Sequence, residues 1–220
     1  MFRQVFLLVI ISLSLTSIPS HSSTKTIGIL VFDGVLSSDI TAPVEVFGTA
    51  TKQSWFTDYE VKMISVHNQA TITTAEGLTL AVDSHIGESH KLTTLILPSA
   101  YDMEPLLNNK KLIKFIQKQS KNVKWLASNC SGAYLLAESG LLNGRNATTW
   151  YGGELDLQKK YPDINVQFDK NYVIDDNIIT SNGSVVSYTA GIKLLSLMSS
   201  DRLAKEVFDA LQLGRLVNSY

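Results

Sequence analysis

The chain has 220 residues, 45% of them apolar and 18% charged, which suits one folded domain with a sizeable core and excludes global disorder. Lys+Arg 19 against Asp+Glu 20 gives a formal charge of -1, so no general pull on nucleic acid or anionic lipid is expected. A single Cys excludes an intrachain disulfide framework and any multi-cysteine zinc or iron–sulfur centre.

The N-terminus reads as an address. Arg3 precedes an almost wholly apolar run from Val5 to Ile18, and Pro19-Ser20-His21-Ser22 follows. A positive start, a short apolar stretch and small residues at the cut are the layout of a secretory signal peptide. The run is shorter than the roughly 20 residues that span a bilayer. The expected organisation is a signal peptide over 1–22 and a single domain over 23–220. The expected location is periplasmic or secreted, without stable membrane insertion after cleavage.

Thr26 to Phe32 reads as a fully buried strand, short and β-branched, ended by Asp33-Gly34. Ala42 to Ala50 has helical composition, with Pro43 placed for a first turn. Tyr59 to Ser65 is a second strand, and Ala70 to Asp83 holds one or two minor ones. Leu95 to Leu97 is a short buried strand stopped by Pro98. Met103 to Gln119 carries an apolar face at helical spacing. Val123 to Ala127 is a strand and Ala133 to Ser139 a helix. Ile164 to Phe168 and Tyr172 to Thr180 suggest strands around the Asp175-Asp176-Asn177 turn. Ser187 to Met198 and Arg202 to Leu213 are helical. Strands alternating with helices predict an α/β fold with a mostly parallel, doubly wound sheet.

The most informative stretch is Val123-Lys-Trp-Leu-Ala-Ser-Asn-Cys130-Ser-Gly-Ala-Tyr134. A buried strand runs through Cys130 directly into a helix. That strand–turn–helix is the layout of a nucleophile elbow, with Gly132 letting helix and strand approach. The helix N-terminus favours a thiolate, and the Ser131 N–H is placed to serve as an oxyanion donor. The competing reading is a lone buried Cys acting as a small hydrophobe. Asp39 falls in the loop after the first strand, on the edge where α/β sheets bind ligands. Beside a thiolate its carboxyl is pushed towards the protonated form and becomes a general acid–base; otherwise it is a helix cap or Asx turn.

Asp39-Ile-Thr-Ala-Pro43-Val-Glu45-Val-Phe47, Cys130 to Thr149, Ile179 to Gly183 and Ala190-Gly191-Ile192 together resemble the ThiJ/PfpI family of the class I glutamine-amidotransferase-like superfamily. Within it they resemble the branch containing isonitrile hydratase and the amidase-like domains of AraC-type regulators. The resemblance implies a flavodoxin-like three-layer sandwich, a homodimer and a small-molecule substrate, with no cofactor, metal or nucleic acid. It implies Cys130 as nucleophile, Asp39 as acid–base, and Ser131, Ser99 and Ala100 around the oxyanion. Trp150 stands where many relatives carry His, so a Cys–His dyad is unavailable there, and Trp150 becomes a pocket residue with Gly132 as elbow support. Pro98-Ser99-Ala100 replaces the usual Gly-Gly, which puts the second oxyanion donor in question.

Two functions of other classes compete with a cysteine-dependent hydratase or hydrolase. One is a small-ligand sensing module, the other a redox-responsive protein using the same thiol. His67, His85 and His90 read as solvated or structural. Asn129, Asn146 and Asn182 each begin a glycosylation triplet, and Lys110, Lys111, Lys114 and Lys118 form a solvated helix edge.

Overall fold

The structure is a computed structural model and describes residues 24–52 and 56–217. The apolar N-terminal segment over 1–22 lies outside the described residues. In chain order, β1 (Lys25–Val31) leads into α1 (Ser37–Ala50), followed by β2 (Tyr59–Ser65) and three short strands, β3 (Thr71–Thr73), β4 (Thr79–Ala81) and β5 (Ser84–His85). β6 (Leu92–Leu97), α2 (Glu104–Leu107) and α3 (Lys110–Ser120) precede β7 (Trp125–Asn129), a 3₁₀ turn over Cys130–Gly132 and α4 (Ala133–Glu138). β8 (Asn146–Ala147), α5 (Glu154–Lys160) and β9 (Asn165–Val166) form a small annex. The chain then returns through β10 (Tyr172–Asp175), β11 (Ile178–Ser181), α6 (Val186–Met198), α7 (Asp201–Ala210) and α8 (Gly214–Val217).

The central sheet runs β10-β11-β7-β6-β1-β2-β5 and is parallel except for β10, which pairs antiparallel with β11. β1 is buried from Thr26 onward, as an uninterrupted apolar run in a central parallel strand requires. α1, α6 and α7 pack together, and α2, α3 and α4 pack together, giving the two helical layers of a flavodoxin-like three-layer α/β sandwich. β1, β6, β7 and β11 all end on one edge, so their loops converge there.

Two helices differ from the sequence expectation. α1 starts at Ser37, well ahead of Pro43, because the Ser37 N–H is capped by Glu76 Oε2 at 2.9 Å from the β3–β4 turn. The predicted helix over Met103–Gln119 splits at Asn108-Asn109, where the Asn109 side chain accepts from Lys111 N and Leu112 N and starts α3 afresh. Of the two stretches expected to be extended late in the chain, Tyr172 to Thr180 forms the β10–β11 hairpin around Asp175-Asp176-Asn177, whereas Ile164 to Phe168 forms only β9, which lies outside the main sheet and pairs with β8.

Candidate active site

Cys130 is the first residue beyond β7 and has φ 51. A non-glycine residue held in the left-handed region stores strain that the surroundings must impose. Gly132 shows how they do so: a Cβ there would lie 2.2 Å from the Leu97 carbonyl oxygen and 2.9 Å from that of Pro98. The turn therefore sits directly on the end of β6. The Ser131 hydroxyl donates to the Ala100 carbonyl at 3.1 Å, and Thr149 Oγ1 donates to the Cys130 carbonyl at 2.9 Å.

Asp39 lies in the first turn of α1 and is fully buried. Oδ2 accepts from the Ser99 N–H at 3.2 Å and from Ser99 Oγ at 2.5 Å. Oδ1 accepts from the Ser184 N–H at 3.0 Å and from Ser187 Oγ at 3.1 Å. These donors favour the carboxylate, but burial outweighs them and holds the Asp39 pKa above the ordinary carboxyl value. Its direction is the one expected from the sequence; its largest cause is desolvation rather than like-charge repulsion.

Gly183 brings the acid and the thiol together. With φ +78, a Cβ on it would sit 2.3 Å from Cys130 Cβ and 3.0 Å from Asp39 Oδ1, so both groups flank one point of space. The thiol is partly exposed. Burial first, and the Asp39 charge second, push its pKa up; the Ser99 hydroxyl and the Ser131 N–H pull the other way and lose. The thiolate preference expected from the helix N-terminus is thus reversed. α4 is only six residues long, and a neighbouring carboxylate opposes it.

Ser99 is not an open oxyanion donor, since both its N–H and its hydroxyl face Asp39. Ala100 keeps an ordinary negative φ, and its N–H faces the Met103 sulfur at 3.3 Å. Of the three residues placed around the oxyanion by sequence, Ser131 and Ala100 line a cavity beside Cys130, whereas Ser99 is buried beneath it. The cavity measures ≈ 540 Å³ and is walled on one side by Trp150 and Tyr134, whose rings stack 5.4 Å apart at 24°. Trp150 is seated by Gly153, where a Cβ would fall 1.9 Å from the indole. Burial, then the Asp156 charge, push the Tyr134 phenol up to about 12, so it is neutral at working pH. Tyr151, next to Trp150 in the chain, is 78% exposed and does not line the cavity, and Trp125 packs against the core.

His85 sits on β5, four positions from β7 in the sheet, and His90 Nε2 bonds the His85 carbonyl at 2.8 Å; His67 is exposed in the β2–β3 loop. Among the described residues no group of three or more His, Cys, Asp or Glu could hold a metal ion. Each glycosylation triplet is engaged internally: Asn129 Nδ2 donates to the Asp39 carbonyl, Asn146 Nδ2 to Asp175, and Asn182 Nδ2 to the Thr149 carbonyl.

The DJ-1/PfpI family pattern matches residues 25–196. The chain belongs to the DJ-1/PfpI family. An isonitrile hydratase of Pseudomonas putida is 26% identical over 187 residues, 85% of this chain and 76% of that protein. The HTH-type transcriptional regulator GbdR of Pseudomonas aeruginosa is 20% identical over 200 residues, and the chain spans about half (54%) of its length. A crystal structure of a ThiJ/PfpI family protein from Pseudomonas syringae superposes with a TM-score of 0.76 at 20% identity, covering 91% of this chain and 84% of that one.

Within this DJ-1/PfpI domain, sequence reasoning missed Asn129, Gly183, Ser184 and Ser187. Asn129 carried a signal. Pro43 sits inside α1 without an N–H, so the carbonyl of Asp39, four residues earlier, has no helical partner. Asn129 Nδ2 supplies one at 3.1 Å, while its Oδ1 accepts from Ser181 Oγ at 2.7 Å. A proline in a helix and an amide beside Cys130 are two halves of one joint. Ser184 and Ser187 gave no comparable signal, because they reach Asp39 from the far end of the chain.

Proposed function

We propose that this protein is a cysteine-dependent enzyme acting on a small electrophilic carbon compound, with isonitrile hydration as its reaction and an exported location. The observation that carries this reading is the strained Cys130 beside a buried carboxyl of raised pKa, at the end of a cavity remote from the described histidines. Amide hydrolysis in the usual Cys–His manner needs an imidazole to protonate the leaving amine. Addition to an isonitrile carbon needs only a thiol and a group that moves one proton.

The Cys130 sulfur forms a bond to the isonitrile carbon. The thiol proton passes to Asp39, which returns it to the same carbon, giving a thioimidate. Water then adds to that carbon. The C–S bond breaks, the sulfur regains a proton, and an N-substituted formamide leaves; one water is consumed overall. Raising Asp39 by burial makes its carboxylate a stronger base for the thiol proton. The kinship with an isonitrile hydratase supports this choice among cysteine chemistries.

The test is formamide production from alkyl and aryl isonitriles by the purified protein. Wild type turns over and Cys130→Ser does not. Asp39→Asn loses about 10²-fold or more in kcat, the scale of a positioned acid–base. Turnover by Cys130→Ser, or an unchanged kcat in Asp39→Asn, rejects the assignment. Ligand binding that survives in Cys130→Ala, with no turnover in wild type, replaces it with the sensing reading.

A further inference from the structure

We infer that the cavity selects electrophiles carrying a flat, uncharged apolar body, an aryl group above all, and disfavours those bearing a carboxylate. The inference rests on the reading of Cys130 as the reactive group and adds the substrate class. At ≈ 540 Å³ the cavity lies within the ordinary range for small-molecule sites. It holds more than a two-carbon electrophile, so its walls decide what fills the remainder.

Those walls are aromatic and pre-set. Tyr134 is 7% exposed, stacks on Trp150, and meets Tyr161 edge-on at 5.8 Å and 78°. Gly153 leaves no room for the indole to swing in its own direction. A third ring, Tyr101, lines the cavity yet is 86% exposed, so nothing among the described residues covers it. A flat ligand meets rings that lose little conformational freedom on binding, and aromatic pairs add stabilisation beyond area burial.

The charges in the lining do not favour an anion. Lys160 is the cation there, and its ammonium is bound to Glu104 Oε1 at 2.9 Å and lies 5.9 Å from the Tyr134 ring centre. The remaining charge is Asp102, whose Oδ1 accepts a neutral backbone N–H, that of Glu104, at 3.0 Å. An incoming carboxylate meets Asp102 and has to compete with Glu104 for Lys160. An aryl group makes neither demand.

Because Cys130 is the chain's only thiol, alkylation reports on this cavity without needing turnover. Rates with iodoacetamide, N-phenyliodoacetamide and iodoacetate are each divided by the rate with free glutathione to remove intrinsic reactivity. The normalised N-phenyl rate exceeds that of iodoacetamide by about tenfold, the value of one good aromatic contact. The iodoacetate rate falls below both. Trp150→Ala removes most of the N-phenyl advantage. Tyr101→Ala lowers it several-fold and, being a truncation of an exposed ring, tests the wall without a folding risk. Tyr151→Ala, outside the cavity, leaves the ratio unchanged, and Asp102→Asn narrows the gap between iodoacetate and iodoacetamide. Equal normalised rates for the phenyl and parent reagents, or fastest reaction with iodoacetate, overturns the inference. Absence of isonitrile turnover leaves these ratios untouched, so the two readings fail separately.

Discussion

Cys130 and Asp39 set opposite demands on one small volume. Each group is most easily accommodated uncharged, because both are withdrawn from water and ionising either opposes ionising the other. The thiol is therefore a poor nucleophile until a base takes its proton, and in the proposed mechanism that base is its neighbour. The iodoacetamide rate of Cys130 against pH is expected to show a midpoint above the ordinary thiol value. In Asp39→Asn the midpoint moves down, since a like charge has been removed while burial remains. Under the proposed mechanism the same substitution thus makes the thiol more acidic and turnover slower. An identical midpoint in both proteins would mean that Asp39 carries no charge where the thiol titrates. Both residues were legible in the sequence, because a strand–turn–helix places its middle residue on the ligand edge whatever its surroundings. The thiol's pKa was not, since it depends on burial and on a carboxyl 91 positions away in the numbering.

At the scale of elements, the site is a set of joints between segments that local sequence describes well one at a time. The long start of α1 was hidden because its cap is Glu76, across the β3–β4 turn, and Leu36 at the N-cap offers no side-chain acceptor. The break between α2 and α3 was hidden by an apolar spacing that continues through it, although Asn109 marks it in retrospect. The joint around Gly183 gives a sharp expectation. Gly183→Ala must place a Cβ at φ +78 against the elbow, with backbone as well as side-chain atoms in the way. It costs at least about 2 kcal/mol in urea unfolding, from backbone strain and overpacking together. Gly48→Ala, in the interior of α1 with nothing within 4 Å, is neutral or stabilising. Asn129→Ala strands the Asp39 carbonyl and the Ser181 hydroxyl and costs about 1–3 kcal/mol for buried groups left without partners. Wild-type stability in Gly183→Ala would mean that the β11–α6 loop does not press on the elbow.

For the whole molecule, the sheet order decides which groups can work together. β5 lies four positions from β7, roughly 19 Å at ordinary strand spacing, which keeps His85 out of the chemistry. The loops after β6, β7 and β11 and the first turn of α1 instead gather around Asp39, which accepts hydrogen bonds from Ser99, Ser184 and Ser187. A fold that buries a carboxyl at such a junction couples its stability to the proton there. The folded-state pKa of Asp39 is raised above the unfolded value, so the fold binds this proton more tightly than the unfolded chain does. Its contribution to stability is therefore fully present below the ordinary carboxyl value of about 3.9 and is lost as pH rises through the raised one. Thermal unfolding of wild type and Asp39→Asn isolates this contribution, because all other titrating groups are shared. The Tm difference between them shifts in favour of wild type as pH falls from neutral to about 4, before the unfolded chain takes up its own proton. A difference that stays constant over that range, or moves in favour of the variant, would mean that the four donors outweigh burial and that Asp39 is an ordinary ionised carboxylate in the folded protein.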